Sequence, residues 1–104
     1  GLHVQRKAIE YGVRFSGCTV HFVVPEVDAG PIVLQAVVPI EQDDTEGTLA
    51  ARILEQEHRI YAEAVQLFAQ DRLRTDDRRV LIAGEGEGWR PTEGREPGVE
   101  ESNE

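Results

Sequence analysis

Two apolar runs of strand length, residues 19–24 and 32–38, are separated by a segment that carries Glu26, Asp28 and a Gly30-Pro31 pair. β-Branched and aromatic residues dominate the first run and favour extended backbone, and Pro25 ends it because it cannot donate a ladder hydrogen bond. The Gly-Pro pair marks a loop. The second run is apolar almost throughout, which predicts a strand covered on both faces. Two strands joined in this way form a hairpin whose acidic connection is longer than a tight turn needs, and long connections carry function disproportionately often.

The flanking segments have helical spacing. Val4, Ala8 and Tyr11 predict a short helix, with Gly12 placed for a left-handed C-terminal cap. Ser16-Gly17 reads as a turn before the first strand. Downstream, Thr45 or Thr48 can cap a helix that runs to about Gln70, with Leu49, Ile53, Ile60, Ala64 and Leu67 repeating at a period near 3.6. Glu57 interrupts that stripe. A carboxylate on a buried face is costly unless it is paired or meets a polar site, so either a salt bridge to Arg52, Arg59 or a distant Arg, or a contact with a polar ligand, is expected. Residues 73–75 and 79–83 predict two short strands around an Asp76-Asp77 turn.

The 104 residues suit one small domain. Acidic residues outnumber basic ones 20 to 11, for a net charge of −9, and this argues against a nucleic-acid partner. Residues 84–104 hold seven Glu and two Arg but little apolar surface. They are expected to form a disordered acidic tail behind a folded part at residues 1–83. Cys18 is the single cysteine, which excludes an internal disulfide and fits an ordinary packed side chain. Neither a membrane span nor a signal peptide is visible, so a cytoplasmic protein without membrane contact is expected. No set of ligands stands at a recognised metal spacing, and no metal is expected.

The densest polar constellation is Thr19, His21, Glu26 and Asp28. Strand alternation puts Thr19, His21 and Val23 on one face, and Gly30 lets the loop turn back toward the strand end. An acid meeting an imidazole there can tune proton transfer. The plainer reading is a partly buried strand histidine and an aspartate that caps a turn.

Four segments occur in a specific order: Gly1-Leu2-His3, Thr19-Val20-His21-Phe22-Val23, Asp28-Ala29-Gly30-Pro31-Ile32-Val33-Leu34-Gln35, and Glu57-His58 with Tyr61. From Gly1 to about Ala83 the chain resembles the C-terminal half of the phosphoribosylglycinamide formyltransferase family. The resemblance implies an α/β fold, the C-terminal part of a doubly wound sheet. It also implies an enzyme of purine biosynthesis that transfers a formyl group from 10-formyltetrahydrofolate to the amine of glycinamide ribonucleotide. Asp28 is then the catalytic acid. Val24, Pro25, Glu26 and Asp28 line the folate pocket, Glu57 touches the ribonucleotide, and Thr19 and His21 support the acid.

Two positions depart from the family pattern: Ala29 stands where Gly is usual, and Leu54 where some members carry Gln. The family's Asn-x-His-Pro-Ser segment and its nucleotide-binding half would precede Gly1. The chain is therefore expected to be a fragment whose partner is the missing N-terminal half, and to be inactive alone. Loss of that half is expected to expose apolar surface and to favour self-association. The alternatives are another folate-dependent formyltransferase, a formyltetrahydrofolate deformylase, or a non-catalytic interaction module that works through its acidic tail.

Overall fold

The elements follow in the order α1 (Val4–Tyr11), β1 (Phe15–Phe22), β2 (Ile32–Pro39), α2 (Glu46–Ala69), β3 (Leu73–Asp76), β4 (Arg79–Ile82) and β5 (Val99–Asn103). They come from a computed structural model that describes residues 3–25, 30–84 and, as backbone, 99–103. One sheet has the strand order β2-β1-β5, and β3 and β4 form a second, two-stranded sheet. All of these pairings are antiparallel. The mixed helix-and-strand architecture is the one expected. No described helix is long and apolar enough to cross a membrane.

Helix α1 ends as its sequence predicts. Gly12 takes φ 87°, and its N–H reaches the carbonyls of Ala8 and Ile9, a left-handed cap that glycine adopts without steric cost. The expected apolar stripe does not hold, because Tyr11 is 87% exposed and Gln5 is the buried residue.

Strand β1 begins earlier than predicted and includes Ser16-Gly17. The glycine is there for close approach rather than for a turn: a Cβ on Gly17 would overlap the Ala36 carbonyl oxygen of the paired strand. Strand β2 is covered on one face, not two. Val33, Ala36 and Val38 are buried, whereas Ile32 and Val37 are exposed. A register shift between Val20 and His21 sets the phase of that alternation.

Helix α2 uses both candidate caps. Thr45 is the N-cap and accepts from the Thr48 N–H at 3.2 Å, while the Thr48 hydroxyl oxygen accepts from the Thr45 N–H at 2.9 Å. This reciprocal box satisfies two donors that would otherwise be orphaned. Beyond it, Leu49, Ile53, Ile60, Ala64 and Leu67 pack with Cys18, Val20, Phe22, Val33, Ala36 and Val38 into one core cluster. Burial of each large side chain there contributes about 1.5–3 kcal/mol. The rings of Phe22 and Phe68 meet edge to face, with centroids 6.5 Å apart. Arg52 ties the helix start to the end of β2 by donating to both Asp44 carboxylate oxygens and to the Pro39 carbonyl, each at 2.7 Å.

The last elements also differ from expectation. β3 and β4 form the expected hairpin, with Asp77 at φ 57° in its turn. The disordered tail is corrected at its end, because Val99–Asn103 forms β5 against β1, while residues 85–98 and 104 lie outside the described residues. Composition weighs side chains, whereas β5 gains backbone hydrogen bonds from the edge of β1.

Candidate active site

The β1–β2 hairpin presents the connection 23–31, and its base is tightly tied. The Phe22 N–H donates to the Pro31 carbonyl at 2.9 Å, which closes the two arms. Gly30 is buried against Phe22, and a Cβ there would overlap the Phe22 carbonyl oxygen. That same oxygen accepts from His21 Nδ1 at 3.0 Å. A carbonyl can only accept, so Nδ1 carries a proton, and in the neutral imidazole Nε2 is left as the acceptor. On the far side, Arg78 Nη2 reaches the Gly30 carbonyl at 3.5 Å.

Thr19 and His21 are buried, at 4% and 8% exposure. Val20 and Phe22 face α2, so alternation puts Thr19 and His21 on the opposite face of the sheet. Across the hairpin the Thr19 hydroxyl oxygen accepts from Gln35 Nε2 at 3.0 Å, matching their register as direct partners. Of the expected loop residues, Val24 is half-buried and Pro25 exposed, while Glu26 and Asp28 lie outside the described residues. Cys18 is buried in the core.

Glu57 is where the broken stripe predicts it. It is 8% exposed on the core face of α2, with Ile53 and Ile60 on either side. Arg52 is engaged by Asp44 and Pro39, and Arg59 meets Gln56 and Glu63. Glu57 therefore belongs to the α2 side of the hairpin and His21 to the other. The described residues do not bring the two together on one sheet face. His58 is exposed.

Two features escaped sequence reasoning. Gly30-Pro31 signals a loop, but not that the glycine must lie against the Phe22 carbonyl. Arg78, 48 residues away from Gly30, gives no local signal at all.

Residues 1–65 match the formyl transferase family. The chain belongs to that family. It is 41% identical over 85 residues to phosphoribosylglycinamide formyltransferase of Escherichia coli strain K12, a match covering 82% of this chain and 40% of the relative. Glycinamide ribonucleotide transformylase 1 from Symbiobacterium toebii superposes with a TM-score of 0.72 at 56% identity, over 81% of this chain and 40% of that one. A formyltetrahydrofolate deformylase from Pseudomonas syringae pv. tomato has a TM-score of 0.73 at 27% identity, over 81% and 28%. The chain thus spans 40% of the length of the first two formyl transferase relatives.

Proposed function

We propose that this chain is the acid-bearing portion of a phosphoribosylglycinamide formyltransferase, which moves the formyl group of 10-formyltetrahydrofolate to the amine of glycinamide ribonucleotide in the cytoplasm. The observation that carries this reading is the hairpin itself, a family-matched strand pair whose loop is closed at its base by Phe22, Gly30 and Pro31. Higher identity to glycinamide ribonucleotide enzymes than to the deformylase favours transfer to an amine over hydrolysis.

In the proposed reaction the amine nitrogen attacks the formyl carbon, and the tetrahedral intermediate collapses as the folate N10 departs with a proton. Asp28 takes the role of holding and charging the group that moves that proton, an imidazole or an ordered water. The loop from Val24 to Gly30 lines the folate pocket, largely through backbone groups, with Val24, Pro25, Glu26 and Asp28 as its folate contacts. The exposed side chains of Val23 and Ile32, at the two ends of the loop, add apolar surface on which a flat ring can rest. Thr19 and His21 buttress the loop from beneath. Glu57 meets the ribonucleotide, and no metal takes part. The other catalytic groups come from a segment outside these 104 residues, the N-terminal portion of the domain. Residues 1–83 are its C-terminal portion.

The test is complementation. The chain is mixed with the N-terminal portion of the Symbiobacterium toebii enzyme, and formyl transfer to glycinamide ribonucleotide is followed. Turnover is expected from the mixture but not from either part, with a loss of about a thousandfold or more on Asp28→Asn. Turnover by the 104 residues alone, or full activity of the Asn variant in the mixture, overturns the reading.

A further inference from the structure

Two hairpins far apart in sequence meet at one backbone atom. The first joins β1 to β2, and its connection 23–31 re-enters the sheet at Gly30, which is buried against Phe22. The second joins β3 to β4. Its register sets Asp76 opposite Arg79, so the turn is only Asp77 and Arg78, and Asp77 takes φ 57°, a left-handed conformation that aspartate tolerates. So short a turn fixes the Arg78 backbone relative to β4.

The second hairpin is anchored at its base. Leu73 belongs to the core cluster, and Val80 packs against it. The Ala83 N–H donates to the Arg72 carbonyl, and Arg72 Nε donates to the Ala83 carbonyl, each at 2.9 Å. From that frame Arg78 Nη2 extends to the Gly30 carbonyl at 3.5 Å. The distance is at the long end of hydrogen bonding, and the formal charge on the guanidinium gives the contact its weight. Three other arginines are held elsewhere: Arg52 by Asp44 and Pro39, Arg59 by Gln56 and Glu63, and Arg72 by Gln70 and Ala83.

We propose that Arg78 is a positioning residue for the folate co-substrate: it holds the Gly30 carbonyl, and with it the end of the connection 23–31 that returns to the sheet. The inference rests on the proposed formyl transfer, in which this loop lines the folate pocket. A loop that binds through its backbone binds best when it is held in place beforehand, because ordering it on binding subtracts from affinity. The ties already described grip Phe22 and the Pro31 carbonyl. Pro31 has no N–H, so the Gly30–Pro31 peptide can be held by a hydrogen bond only through the Gly30 carbonyl. Arg78 supplies that bond.

Charge favours the same role. The connection carries Glu26 and Asp28, both within four residues of Gly30 in sequence, so a cation is attracted to its end where an acid would be repelled. Arg78 also lies beyond residues 1–65, the part that matches the family. The tie therefore comes from outside the matched part.

The test uses the complemented enzyme and the chain itself. Arg78 is exposed, so its replacement disturbs no packed side chain. Arg78→Gln should raise the KM for 10-formyltetrahydrofolate by about fivefold while the KM for glycinamide ribonucleotide stays unchanged. Arg78→Lys should restore most of the difference, because a single contact to a carbonyl needs the charge more than the planar fork. Arg79→Gln, one residue along in β4, should leave both constants unchanged. In the 104-residue chain the Phe22 amide, whose bond to Pro31 closes the loop, should exchange about threefold or more faster in Arg78→Gln, while the amides of α2 keep their rates. No turnover from the unchanged mixture counts against the formyl-transfer reading, and the exchange rates then decide by themselves whether Arg78 holds the loop. Where the mixture turns over, an unchanged folate KM in Arg78→Gln, an equal rise in both KM values, or the same rise in Arg79→Gln overturns the proposal. An unchanged Phe22 exchange rate overturns it in either case.

Discussion

Gly30 lies so close to the Phe22 carbonyl oxygen that a single Cβ on it would overlap that atom. The contact fixes the point where the loop re-enters the sheet, next to the Phe22 N–H bond to Pro31. Phe22 itself is fully buried against α2, so its carbonyl cannot move away without disturbing the core. Gly30→Ala is therefore expected to destabilise the chain by about 1–3 kcal/mol, the usual cost of overpacking. Urea unfolding gives the number. Faster proteolytic cleavage in the connection 23–31 than in the β3–β4 turn would locate the damage, and an unchanged midpoint would contradict the close approach.

His21 ties the same carbonyl from the other sheet face through Nδ1. His21→Phe preserves an aromatic side chain at a buried position but removes that donor. A typical intramolecular hydrogen bond contributes about 1 kcal/mol net, so a loss near that size is expected in chemical unfolding. The neutral imidazole's proton on Nδ1 also gives a spectroscopic prediction. The 15N shifts of His21 should report the Nδ1–H tautomer, whereas those of solvent-exposed His58 should report the mixture of a free side chain.

The Asp44–Arg52 pair sets an acid limit. Two 2.7 Å bonds from the guanidinium, together with bonds from the Glu41 N–H and the Thr48 hydroxyl, hold the Asp44 carboxyl well below the usual carboxylate range. Its folded-state value is thus depressed relative to the unfolded chain, where an aspartate titrates near ~3.9. The stabilisation is fully present above that unfolded value and is lost as pH falls toward the folded one. Melting temperature against pH should fall below about pH 4, and Asp44→Asn should flatten that part of the curve. The variant should also be less stable at neutral pH, because Arg52 loses the charge it pairs with beside the α2 cap. An identical acid slope in the two proteins would remove Asp44 from the account.

Much of this was legible in the residues, and the failures have physical causes. The stripe from Leu49 to Leu67 and the Thr45–Thr48 pair define α2 because period and capping are local properties, and the core cluster follows them. Glu57 stood out as a break in that period, and it is buried. Ser16-Gly17 misled because glycine has two uses, turning the chain and letting backbones approach, and the partner that decides between them is Ala36 on another strand. An apolar run such as β2 does not say which neighbour is present to cover it, and on its outward face Val37 is 69% exposed. β5 leaves no such signal for the opposite reason: its partner is the backbone of β1, which no composition argument counts.

Glu57 offers the sharpest division between a structural and a functional carboxylate. Its place on the core face of α2 suits an acid that contributes polar contacts within the fold and equally one that meets the ribonucleotide, and Glu57→Gln separates them because it keeps the shape and one acceptor oxygen while removing the charge. If Glu57 meets the substrate, the variant of the complemented enzyme should show KM for glycinamide ribonucleotide raised by about tenfold, which is roughly 1.4 kcal/mol of lost binding when chemistry is slow relative to substrate release. The KM for the folate co-substrate and the melting temperature should stay nearly unchanged. A purely structural acid gives the reverse, a lower melting temperature with both KM values unaltered. The proposed substrate contact therefore stands or falls on which of these two constants moves.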